Sequence, residues 1–168
     1  SSSSHPHLTA ARAALTHSVT ATNEAGESEI VSIPAERSLT VYVDKREIVT
    51  LMTLGVNPEL LVLGYLLNQK LISVASDVAS ITVDWEGAEE GGVAAVKTHA
   101  GIEAIEERTS RRVVTTGCGQ GSIFGGLLDD LDKISLPDAR LPQAALFQIL
   151  SIIRQQDTTY KSSGSVHG

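Results

Sequence analysis

The most regular alternation of apolar and polar residues lies between positions 39 and 52. Leu39, Val41 and Val43 alternate with Thr40, Tyr42 and Asp44, the period of two that turns one face of a strand inward. Asp44-Lys45-Arg46 reads as a polar turn, and Ile48-Val49-Thr50-Leu51-Met52 returns, so this segment is predicted to be a β-hairpin. Ahead of it, Ile30-Val31-Ser32-Ile33 reads as a strand closed by Pro34. Residues 1–27 are rich in Ser, Thr, Ala and His and carry no sustained period beyond a helical turn over Ala10 to Leu15. They are expected to form a flexible N-terminal arm. Regular structure is expected to begin near Glu29, with residues 28–168 making a single α/β domain.

After the hairpin the period changes. Asn57-Pro58-Glu59 has the form of a helix start: an asparagine cap, a proline at the first position and an early acid at the positive end of the dipole. Leu60, Leu63, Gly64 and Leu67 fall on one predicted face, with Leu61 and Leu66 beside them, and Gly64 is expected to allow close approach to a strand. Ile81 to Trp85 is a further strand, Glu86 to Gly92 a turn, and Val93 to Thr98 its returning partner. The pattern over Ala100 to Glu107 leaves a short helix and a loop both open, with Glu103, Glu106 and Glu107 on a solvated face. Arg112 to Thr115 reads as a strand, and Leu127 to Leu131 as a helical turn ending near Pro137. Pro142 opens a last helix in which Leu146, Ile149, Leu150 and Ile153 recur at helical spacing. Strands interleaved with helices, hairpins included, predict an α/β fold with a mixed sheet.

Composition narrows the choice of function. With 168 residues, 42% apolar and 20% charged, the chain has the make-up of a globular domain with an aliphatic core. A net charge of −7 argues against nucleic acid or an anionic membrane as the main partner. No apolar run approaches the roughly 20 residues that span a bilayer, so a cytoplasmic protein is expected. One cysteine can form neither an internal disulfide nor a Cys-rich zinc site. The five histidines show no ligand spacing, and no bound metal ion is expected.

Against that acidic background one stretch stands apart. Residues 108–128 contain three arginines and no acid, hold five of the 14 glycines, and include the single cysteine, Cys118. A lone cysteine is most often a small core hydrophobe. Here Gly117, Gly119, Gly121 and Ser122 offer little side chain to bury a thiol, and their amides are free to converge on an anion or a thiolate. The Gly117-x-Gly119-x-Gly121 spacing is neither a dinucleotide-binding fingerprint nor a Walker A loop. Residue chemistry alone therefore points to a reactive thiol beside an anion site.

Three blocks, in order, resemble the formate dehydrogenase accessory sulfurtransferase family (FdhD/NarQ). They are Ile33 to Asp44 running on through Val49 to Thr53; Asn57 to Leu67 with Leu71-Ile72; and Thr115-Thr116-Gly117-Cys118-Gly119 followed by Lys161-Ser162-Ser163-Gly164-Ser165-Val166-His167, similar to the family's "TGG-x-H" segment. The resemblance implies a cytidine-deaminase-like α/β fold without zinc, and a homodimer. It implies that a cysteine desulfurase loads a persulfide onto Cys118, which passes sulfur to the molybdenum or tungsten bis-guanine-dinucleotide cofactor of formate dehydrogenase. Thr115, Thr116, Gly117, Gly119, Gln120, Gly121, Lys161, Gly164 and His167 would contact that cofactor. Two departures stand out. Gly121 occupies the place of the family's second loop cysteine, and the family's C-terminal portion with its "GRHNA" segment has no counterpart in these residues. A sulfurtransferase and a non-enzymatic cofactor chaperone, with Cys118 not transferring sulfur, are the two functional expectations. A thiol redox sensor is a weaker third.

Overall fold

The computed structural model describes residues 5–88, 91–110, 112–114, 122–124 and 133–155. The chain divides into two compact units, one of Ser1–Leu15 with Ala35–Asp132 and one of Thr16–Pro34 with Lys133–Gly168. The first holds the strands β1 (His7–Leu8), β4 (Arg37–Val43), β5 (Arg46–Thr53), β6 (Val78–Ala88), β7 (Gly91–Thr98), β8 (Arg112–Val114) and β9 (Ser122–Phe124), with helices α1 (Pro58–Asn68) and α2 (Ile105–Ser110) and a 3-10 turn at Ala75–Asp77. The second holds the antiparallel ribbon β2 (Thr16–Thr22) and β3 (Ser28–Pro34), and helix α3 (Gln143–Gln155).

Five strands make one mixed sheet in the order β1-β6-β7-β4-β5. The expected hairpin is present, with Leu39 opposite Leu51 and Val41 opposite Val49. Its turn is tighter than predicted, since Asp44 and Lys45 alone make it, both at positive φ, and β5 resumes at Arg46. β6 and β7 are antiparallel as expected, while β4 and β7 run parallel, which places two hairpins side by side.

The period of two decides which face is covered. Leu39, Val41 and Val43, Ile81 and Val83, and Ala94 and Val96 point inward and pack with Val62 and Leu66 of α1. Helix α1 thus buries a different stripe from the one predicted. Val62 and Leu66 are fully inaccessible, whereas Leu60 and Leu61 are exposed and Leu63 and Leu67 only partly buried. The buried stripe runs Pro58, Val62, Leu66, a strict i, i+4 row. In a helix this rich in leucine many faces look apolar, and the flanking contacts choose among them. Gly64 meets nothing within 4 Å of where a Cβ would stand, so the close approach expected there is absent. It occurs at Gly92, where a Cβ would run into the Trp85 ring.

The N-terminal residues are not the frayed arm expected. β1 pairs parallel with the edge of β6, His7 against Ser80 and Leu8 against Ile81. Beyond it the chain is held by isolated backbone bonds, such as the Ala13 amide to the Gly55 carbonyl at 2.8 Å, and by side chains. Glu59, 3% exposed, accepts hydrogen bonds from the Thr9 hydroxyl and the Ala11 amide, both at 2.7 Å. The Thr9 hydroxyl in turn accepts from the Val83 amide at 3.0 Å. Trp85 Nε1 donates to the Ala11 carbonyl and Arg37 to that of Ala14, with the guanidinium 5.6 Å from the Trp85 ring centre. Glu59, read from sequence as a dipole partner at a helix start, is a buried clamp. Asn57 caps α1 through its backbone carbonyl only, its side chain making no cap bond. Regular structure therefore begins at His7 rather than near Glu29: β1 takes its place from β6, far along the chain, and β2 is rich in Ser and Thr with few apolar residues to mark it.

Candidate functional site

Ahead of the cysteine in sequence lies α2. This short helix, starting later than the Ala100 to Glu107 pattern suggested, holds Thr109 buried, its hydroxyl donating to the Ile105 carbonyl at 2.6 Å. Arg46 and Glu106 form an exposed ion pair at 2.7 Å, and Arg108 donates to the Lys70 carbonyl at the end of α1. One of the three arginines counted toward the local positive charge is therefore engaged in holding α2.

β8 follows α2 where a strand was expected. Sequence reading missed β9. The two strands are antiparallel, with Arg112 opposite Phe124, Val113 opposite Ile123 and Val114 opposite Ser122, and α2 lies beside β9. Val114 and Ser122 are the last and first paired residues. The signal was Ile123-Phe124, an apolar pair bounded by glycines that was absorbed into a glycine-rich loop. Cys118 and its neighbours Thr115, Thr116, Gly117, Gly119, Gln120 and Gly121 lie outside the described residues, as do Arg111, the predicted turn over Leu127 to Leu131, and Lys161, Gly164 and His167.

A cleft of about 220 Å³ with a mixed lining opens at the carboxyl end of β7, its walls including Leu71, Ile72, Ser73, Asp77, Thr98 and His99. Asp77 is held below the usual aspartate range by the Val74 and Ser73 amides, which donate to one carboxylate oxygen at 3.0 and 2.8 Å. Beneath it, Asp44 accepts from the Thr98 amide and hydroxyl at 3.0 and 2.6 Å, and the same hydroxyl accepts from the Gly101 amide. These bonds fix the turn that follows β7. Among the described residues no three of His, Cys, Asp or Glu converge as metal ligands, and no helix is long and apolar enough to cross a membrane.

Comparison with known proteins bears on the segment these elements frame. A profile of the FdhD/NarQ family matches residues 34–168. Two curated relatives, both named sulfur carrier protein FdhD, come from Halalkalibacterium halodurans and Listeria innocua. The first is 26% identical over 138 residues, covering 80% of this chain and 50% of the relative. The second is 24% identical over 139 residues, covering 81% and 52%. The chain belongs to the FdhD/NarQ family, and it spans about half the length of these curated relatives.

Proposed function

We propose that this chain is a sulfur carrier for formate dehydrogenase maturation, with Cys118 as the carrying atom. The observation that carries the reading is the family match, whose range includes the single cysteine. The names of the two relatives support the same role. In the loading step the Cys118 thiolate attacks the terminal sulfur of a persulfide on a cysteine desulfurase. A new S–S bond forms at Cys118, the donor's S–S bond breaks, and the desulfurase cysteine leaves as thiolate.

Release of that sulfur as sulfide to a molybdenum bis-guanine-dinucleotide substrate takes two electrons. A second thiol supplies them by attacking Cys118 Sγ, leaving a disulfide and expelling hydrosulfide. The family's second loop cysteine would be the natural attacker, but Gly121 stands there. These 168 residues hold no second cysteine, so the attacking thiol would lie beyond them. The loop amides around Cys118, from Thr115 to Gly121, with Lys161, Gly164 and His167, would hold anionic groups of the cofactor. A cytidine-deaminase-like arrangement of the mixed sheet, a homodimer and a cytoplasmic location complete the proposal.

Replacement of Cys118 by Ser tests it. Cells relying on the variant should lose formate dehydrogenase activity. Retained activity would instead establish a chaperone that binds cofactor without moving sulfur.

A further inference from the structure

The face of the five-stranded sheet turned away from α1 is built differently from the buried one. The pairing registers set Tyr42, Ala95 and Thr82 side by side across β4, β7 and β6, with Lys97 and Ser80 paired in the next row. Ala95 has the smallest side chain of this group, so the sheet is hollowed between the Tyr42 ring and Thr82. The hollow is a depression of about 480 Å³, and Lys45, from the tight turn between β4 and β5, joins its lining.

Four of its polar side chains are uncommitted. Neither ammonium, Lys45 nor Lys97, has an ion-pair or hydrogen-bond partner among the described residues, and the same holds for the hydroxyls of Ser80 and Thr82. Asp44 also lines the depression, but both its carboxylate oxygens accept from Thr98. Tyr42 donates its hydroxyl to Glu47 at 3.1 Å, which fixes the ring as a wall. The floor is mainly apolar, from Ala95 and the edge of Val96. Two free cations, two free hydroxyl donors, an aromatic wall and an apolar floor are the elements of a small-ligand site in which a few polar groups orient an otherwise apolar contact.

We infer that this depression binds a small phosphate monoester, the phosphate held by Lys45, Lys97 and the Ser80 and Thr82 hydroxyls, and the organic body lying on Ala95 against Tyr42. The site uses none of the residues around Cys118 and stands whether or not the sulfur-carrier reading does.

The test is a titration of the full chain with phenyl phosphate, and separately with inorganic phosphate, followed by amide NMR shifts. Saturable shifts are expected at Ser80, Thr82, Ala95 and Lys97, with phenyl phosphate bound about tenfold more tightly because its ring gains the apolar contact. The double variant Lys45→Ala/Lys97→Ala should weaken phenyl phosphate at least about tenfold. Ala95→Leu fills the hollow while keeping both cations, and should remove the preference for the ester. All three positions are exposed on the sheet surface, and unchanged circular dichroism would confirm that the variants fold. The proposal is overturned by the absence of saturable shifts at these amides, by equal affinity for the two phosphates, or by a double variant that binds like the parent.

Discussion

Helices α1 and α3 look alike as sequence and differ completely in surroundings. Each is introduced by a proline and dense in aliphatic residues, Leu in α1 and Leu and Ile in α3, and each shows apolar residues at helical spacing. α1 lays Val62 and Leu66 into the sheet at zero exposure, while α3 buries no residue at all, with Phe147 58% and Ile153 55% exposed. The contrast separates two things that hydrophobic periodicity tends to merge. Spacing specifies that a helix forms and that one side is apolar. What covers that side is decided by contacts made far along the chain.

Truncation should show this most strongly. Leu66→Ala leaves a cavity in the core and is expected to cost about 2–5 kcal/mol in denaturant unfolding. Phe147→Ala, equally apolar on paper, should stay within about 0.5 kcal/mol, as exposed substitutions do. A comparable loss at both positions would show that α3 is covered after all.

The next effect concerns the buried carboxylate of α1. Glu59→Ala strands the Thr9 hydroxyl and the Ala11 amide and should cost about 1–3 kcal/mol. Hydrogen exchange at Ala11 and Val83 should accelerate along with it, since the Glu59–Thr9–Val83 chain joins the N-terminal segment to the sheet. Unchanged exchange there would remove the clamp from the account. Gly64→Ala should act in the opposite direction. With nothing near its Cβ position, the substitution is expected to stabilise by about 0.5–1 kcal/mol, whereas a destabilising result would restore the close packing that sequence reading placed there.

The smallest effect is in acid. Asp77 titrates lower in the folded chain than its ordinary 3.8. Its bonds to the Val74 and Ser73 amides therefore add stability above that value and lose it as pH falls through the lower, folded one. Asp77→Asn should flatten the unfolding midpoint's pH dependence below about pH 4. It should leave the midpoint's slope near neutrality alone.

What the sequence made legible follows from the strength of the local pattern. The β4–β5 hairpin, the β6–β7 pair, α1 and α3 rest on sustained periodicity and were readable. β1 is two residues long and takes its place from Ser80 and Ile81, far along the chain. β2 pairs with its neighbour β3 but carries few apolar residues to mark it, and β9 is only three residues long. Cys118 was singled out by its neighbours in the sequence alone, and it lies outside the described residues. The hollow at Ala95 could not be seen, because it exists only when three strands stand in register.

The most direct measurement is mass spectrometry of the chain after incubation with a cysteine desulfurase and cysteine, under conditions that load a relative carrying the two-cysteine loop. The prediction is a mass increase of one sulfur atom, localised to Cys118, discharged by an added thiol and absent from Cys118→Ser. An unmodified Cys118 beside a fully loaded relative would contradict sulfur carriage by this chain.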